Sequence, residues 1–118
     1  MPAKTHLVTR GDDYRYIVRK GNRVGGASCI THAVLHVGCE QPARFGFIVS
    51  KTVGNAVTRN LVRRRLKTIV DQRLSRGFTG ADVVFRLLPR SAEISFQDLK
   101  GEIDRALDRV EKIRAEPA

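Results

Sequence analysis

Residues 45–70 read FGFIVSKTVGNAVTRNLVRRRLKTIV. Two periodicities meet in this stretch. Phe45, Phe47 and Val49 alternate with smaller or polar neighbours, which predicts a strand over 44–50 with those three side chains on one side. Beyond Asn55 the spacing changes. Val62, Leu66, Ile69 and Val70 fall on a stripe about 100° wide around a helix, the width expected of a core-facing surface. Gly54 and Asn55 mark the junction, and Asn55 is the expected N-cap. Asn60, Arg63, Arg64 and Lys67 recur at i, i+3, i+4 and i+7 beside the apolar stripe, forming a continuous polar face. Arg59 stands at the mouth of the helix, and Arg65 points to its back.

These cations occupy an unfavourable place. A helix N-terminus carries a partial positive charge, and each cation there costs about 0.3–1 kcal/mol. Acids that would offset the arginines at i±4 are missing, and only Asp71 appears in the whole helix. Arginine outnumbers lysine, which suits forked contacts to phosphate. A solvated charged face explains most such patterns. An unpaired cluster at the wrong end is better explained by an external polyanion. A DNA major groove could receive such a helix. The flanking strands, however, do not make a helix-turn-helix, and a sheet beside basic and aromatic-bearing helices suits single-stranded or structured RNA better.

The rest of the 118-residue chain supports this reading: it is the length of one domain, with 42% hydrophobic and 29% charged residues and a formal charge of +10. The charge belongs to the body of the domain. Up to Glu93 there are 17 basic and 6 acidic residues, against 5 and 6 beyond it. No apolar run approaches the roughly 20 residues that cross a bilayer, and the N-terminus lacks a signal-peptide core, so the expected location is cytoplasmic. Cys29, in a strand, and Cys39, in a loop, read as reduced small hydrophobes.

A first helix is expected over Thr9–Lys20, capped by Thr9 with Asp12 three residues on and stopped by Gly21, with Tyr14, Ile17 and Val18 on one face. Residues 22–26 form a turn or short edge strand, 27–37 a strand, and 38–44 a loop. After the basic helix and the loop RGFTGAD, a strand covers 82–88 and Pro89 ends it. The last helix runs from Ser95, its cap, to about Ile113. Phe96, Leu99, Ile103, Ala106, Leu107 and Val110 form its core stripe, and residues 114–118 a frayed tail. Strands before and after the basic helix make the fold α+β, with helices on one mixed sheet.

No self-sufficient catalytic site emerges. His32 and His36 lie on the same side of their strand but about 13 Å apart at ~3.3 Å per residue, too far to share a proton or a metal. His6 sits in a loose N-terminus. Asp12 and Asp13 are adjacent, Asp82 and Glu93 are scattered, and no nucleotide-binding or nucleophile-elbow motif is present.

The segment FGFIVSKTVGNAVTRNLVRRRLK closely resembles the signature of the bacterial ribonuclease P protein component: Val49-Ser50-Lys51, then Gly54-Asn55-Ala56-Val57, then Arg59-Asn60 leading into the basic positions Arg63 and Arg64. The resemblance extends over about residues 5–113. It implies one RNA-binding domain with the order α-β-β-β-α-β-α, a central mixed sheet and a left-handed βαβ crossover. It also implies a subunit of an endoribonuclease whose catalysis is carried by an RNA, with magnesium held mainly by that RNA and by the substrate, precursor transfer RNA. By position, Arg59, Asn60, Arg63, Arg64 and Lys67 would meet the catalytic RNA, with Asn55 shaping the helix start. Tyr14, Val18, His32, Ser50 and Lys51 would line a cleft for the single-stranded 5′ leader. Leu61 stands where the family often has a basic residue, and Val18 and His32 where it often has aromatics. No protein partner is implied. The rival reading is a general or ribosome-associated RNA-binding protein with no part in cleavage.

Overall fold

The structure, a computed structural model, describes residues 6–37 and 40–115. Its elements are α1 (Gly11–Lys20), β1 (Asn22–Val24), β2 (Cys29–Leu35), β3 (Arg44–Ile48), α2 (Ala56–Ser75), β4 (Ala81–Leu87) and α3 (Phe96–Ala115), with a 3₁₀ turn over Pro89–Ala92. The order α-β-β-β-α-β-α is the expected one. The four strands form one mixed sheet in the order β1-β2-β4-β3. β2 pairs antiparallel with both β1 and β4, while β3 runs parallel to β4 and reaches it through α2.

Strand alternation divides the core in two. Ala33, Phe45, Val83 and Phe85 point to one face, where they meet Val62, Leu66, Ile69 and Val70 of α2 and Leu99, Ile103, Leu107 and Val110 of α3. The Phe85 ring stacks between those of Phe45 and Phe47, with centroids 6.0 and 6.1 Å away. Among the described helices, only α1 lies on the opposite face. There Ile17 packs with Val8 and Val84, and Tyr14, Val18, Val34 and Ile48 surround them. Thus α2 and α3 share a deep core, and α1 rests on a smaller one that leaves part of the sheet uncovered.

Local signals placed most boundaries. The Asn55 side chain accepts from Thr58 N–H at 2.9 Å and Ser95 Oγ accepts from Asp98 N–H at 3.1 Å, as their cap positions require. The cap of α1 is a correction. The helix begins at Gly11, and its N-cap is Arg10, without a side-chain cap bond. Gly21 does not end α1 in the left-handed conformation usual for a stop glycine: its φ is −73°. It is needed for closeness, because a Cβ would lie 2.5 Å from Ile17 O and 2.9 Å from Ala33 O. His6 is not loose, since its Nδ1 lies 2.7 Å from Ala43 O and the next residue bridges to Phe45. Arg114 is not frayed either: it lies in α3 and donates to Gly80 O at 2.6 Å. The remaining terminal residues, 1–5 and 116–118, and Cys39 lie outside the described residues. Cys29 is buried, and burial pushes its thiol up to about 12.

Candidate nucleic-acid interface

The polar face of α2 presents its cations without carboxylate partners: among the described residues no carboxylate lies within ion-pair distance of Arg59, Arg63, Arg64 or Lys67. Arg63 is held in place by donating to Asn60 Oδ1 at 3.2 Å and more weakly to Val49 O at 3.5 Å. Arg64 is exposed. Arg59 is half-buried, and its Nε has no hydrogen-bond partner among the described residues. Arg65 turns away from this face and donates to Ile94 O at 3.3 Å, as its helical position predicts.

A second feature lies on the α1 side. Tyr14, Arg15, Val18 and Arg19 of α1 face Ile48 of β3 and Arg86 of β4 across a groove of about 380 Å³. Its floor is apolar and its rim carries three guanidinium groups. Arg15 is bridged to Asp12, whereas Arg19 and Arg86 have no carboxylate partner among the described residues. Such a groove offers an apolar surface to a base and cations to the phosphates on either side. A smaller hollow of about 200 Å³ joins Tyr14 and Phe47 to Arg63 and Lys67 of α2. Tyr14 therefore borders both the groove and the cation face.

The Tyr14 ring is fixed by the sheet. Its hydroxyl accepts from Phe47 N–H at 3.2 Å, on the outer edge of β3. Beneath it is Gly46, where an added Cβ would fall 2.6–2.8 Å from ring atoms. A glycine inside a strand marks this close approach. At the N-terminal end of α1, Arg44 lies 3.5 Å from Asp13 and makes a two-pronged contact with Asp82 at 3.0 and 2.8 Å. His36 Nε2 adds a contact of 3.1 Å to the same carboxylate. Burial raises the Asp82 carboxyl, but the bonds from Arg44 and His36 outweigh it and hold it below the usual range. The anchored end of α1 and the open groove thus lie along one helix.

The residues expected at the cleft are not all brought together. Tyr14 and Val18 line the groove. Ser50 and Lys51 are exposed in the turn between β3 and α2, where Ser50 Oγ and Thr52 Oγ1 share a 2.7 Å hydrogen bond, and they do not line the groove. His32 is only 3% exposed and lies under α1's face of the sheet, so it offers no surface for stacking. Burial first, then the charges of Arg86 and Arg23, hold its pKa below the ordinary value and favour the neutral ring. Neither ring nitrogen has a hydrogen-bond partner among the described residues. Arg15, Arg19, Ile48 and Arg86 were not singled out by the sequence. Arg86 carried a signal: it is the one exposed residue of β4 and a lone charge within VVFRLL.

The family model for ribonuclease P matches residues 1–111. The chain belongs to the ribonuclease P protein family. As a member it is the protein component of an endoribonuclease that matures transfer-RNA 5′ ends, and it associates with an RNA subunit and a transfer-RNA substrate. Relatives named ribonuclease P protein component include one from Clavibacter michiganensis subsp. michiganensis, 43% identical, aligned over 92% of this chain and 96% of the relative. One from Salinispora tropica is 41% identical, over 83% and 85%. Among solved structures, the Staphylococcus aureus RNase P protein superposes with a TM-score of 0.78 at 18% identity, covering 91% of this chain and 96% of that one. The Thermotoga maritima RNase P protein gives 0.72 at 19% identity, covering 82% and 90%. At such identities the superpositions speak for the fold, and they agree with the element order described above.

Proposed function

We propose that the cation face of α2 binds the catalytic RNA subunit and that the groove under α1 holds the single-stranded 5′ leader of precursor transfer RNA. Arg59, Asn60, Arg63, Arg64 and Lys67 contact the RNA subunit, and Asn55 fixes the helix start that aims them. Tyr14 and Val18, with Ile48, supply the apolar floor for the leader, while Arg15, Arg19 and Arg86 attract its phosphates. Lys51 and Ser50 extend the polar surface at the turn before α2, and His32 supports the floor from below. The protein's contribution is to neutralise phosphate repulsion and to position the substrate, while the RNA carries catalysis. The observation that carries this reading is the pairing of a groove with an apolar floor and cationic rim with a separate cation face free of carboxylates, both meeting at Tyr14.

The described carboxylates do not gather as a magnesium site would require. Asp12 and Asp82 are engaged by arginines, and among the described residues no three ligating side chains converge. We assign the ion mainly to the RNA subunit and the substrate, and derive no step through it. No helix among the described residues is long and apolar enough to cross a membrane. We place the protein in the cytoplasm with its RNA partners.

Reconstitution tests the proposal. Added to a cognate catalytic RNA, the chain should lower the magnesium needed to cleave precursor transfer RNA and should favour precursor over mature transfer RNA. An unchanged magnesium requirement would defeat it. Similar affinity for unrelated RNAs, with no dependence on leader length, would mark a general RNA-binding protein instead.

A further inference from the structure

The outermost line of α2 is apolar at its start. Val57 is 79% exposed and Leu61, one turn on, is 37% exposed. On the helix they adjoin Asn60 and Arg64, so the apolar pair flanks the polar face. Neither local structure nor packing accounts for Val57. It occupies the first turn, where an acid would be favoured by the helix dipole, and that turn contains none. Valine is also a weaker helix former than alanine or glutamate. A single exposed apolar residue needs no explanation, but a pair one turn apart among carboxylate-free cations forms a composite surface.

We infer that Val57 and Leu61 form an apolar seat for an unstacked nucleobase or ribose of the catalytic RNA, with Arg64 holding the adjoining phosphate. The inference rests on the RNA-facing reading of α2 and adds a contact of a different kind to it. The neighbouring charge selects the occupant: a protein surface apolar enough to cover Val57 and Leu61 would also have to neutralise Arg63, Arg64 and Lys67, whereas a nucleotide carries both chemistries in one unit.

The two kinds of contact differ in their response to salt. Phosphate contacts release counterions, and each contributes roughly 0.7–0.9 to the slope of log affinity against log salt, while an apolar contact contributes nothing to it. The test measures the affinity of the full chain for the catalytic RNA from low to high salt. Leu61→Ala and the double variant Val57→Ala/Leu61→Ala should weaken binding roughly three- to ten-fold at every salt concentration with an unchanged slope. Leu61→Met should restore most of the loss, and Arg64→Ala should reduce the slope. Alanine favours helix at both sites, so a loss of affinity with retained thermal stability is not a folding effect. Unchanged affinity in the double variant, or a loss accompanied by a shallower slope, overturns the apolar seat while leaving the cation face intact. A wild-type chain with no salt-dependent affinity for this RNA overturns the underlying reading and the seat with it.

Discussion

α2 and α3 are both 20 residues long and both bury one stripe against the same face of the sheet, yet their charges follow opposite rules. α3 obeys the helix dipole, with Asp98 in its first turn and Lys112 and Arg114 in its last. Its acids also serve the interior. Asp104, Asp108 and Glu111 surround Arg73 of α2 at 3.7, 2.7 and 3.2 Å, and Asp104 also takes Arg76 at 3.4 Å and Lys100 at 2.6 Å. The C-terminal end of α2, at Arg73 and Arg76, is therefore neutralised within the fold. Its N-terminal half is not, although the same chain had acids available. Charge that a fold leaves unmatched in an unfavourable position points to a partner outside it.

Substitutions in the two halves of α2 should separate these roles. The largest effect is expected from Arg63→Ala/Arg64→Ala, which should weaken binding to the catalytic RNA roughly 30- to 100-fold near physiological salt and lower the salt slope by about 1.4–1.8. Its stability should stay within about 0.5 kcal/mol of the wild type, since neither side chain is deeply buried. Arg73→Ala should do the reverse. Arg73 is buried, lies 5.8 Å from the Phe78 ring centroid and pairs with acids that are themselves partly solvated. Its loss should cost about 2 kcal/mol in urea unfolding while leaving the RNA affinity of the folded protein intact. If Arg73→Ala also flattened the salt slope, the division of α2 into an internal and an external half would be wrong.

Much of this contrast is legible in the sequence. Val62, Leu66, Ile69 and Val70 gave the buried stripe of α2 because helical spacing is local, and Asn55 and Ser95 announced their helix starts. The groove was less legible because it is assembled across the sheet from positions 14, 48 and 86, which only the strand register brings together. Thr9 failed as a cap because α1 begins two residues later, at Gly11. His32 was expected at the cleft from the family resemblance alone, but α1 packs over that face and buries it. Gly46 passed as a strand residue, and only the position of the Tyr14 ring reveals why a side chain is excluded there.

The groove can be probed through that ring. Tyr14→Ala should reduce affinity for precursor transfer RNA about ten-fold and leave mature transfer RNA nearly unaffected. Gly46→Ala should reproduce the direction of this change without replacing a groove side chain, because its Cβ displaces the Tyr14 ring. Equal losses for both RNAs would return Tyr14 to a packing role.

The smallest expected effect concerns pH. Because burial and two arginines lower the His32 pKa, the unfolded chain binds a proton below about 6.5 that the folded chain resists. Stability should therefore fall as pH drops from that value toward the folded one, and His32→Leu should remove this part of the slope. Asp82 acts lower, since its depressed pKa gives stability that is present above about 3.8 and lost as pH falls below it. Urea midpoints measured from pH 7 to 5 in the two proteins isolate the histidine term, and identical profiles would rule it out.

The most direct test of the central claim is a residue-by-residue map of backbone amide shifts as the catalytic RNA is added to the full chain. The account predicts that the changes concentrate at residues 55–67, on the carboxylate-free half of α2, and that residues 104–111 of α3 remain close to their free positions. Changes centred on α3, with 55–67 unmoved, would contradict it.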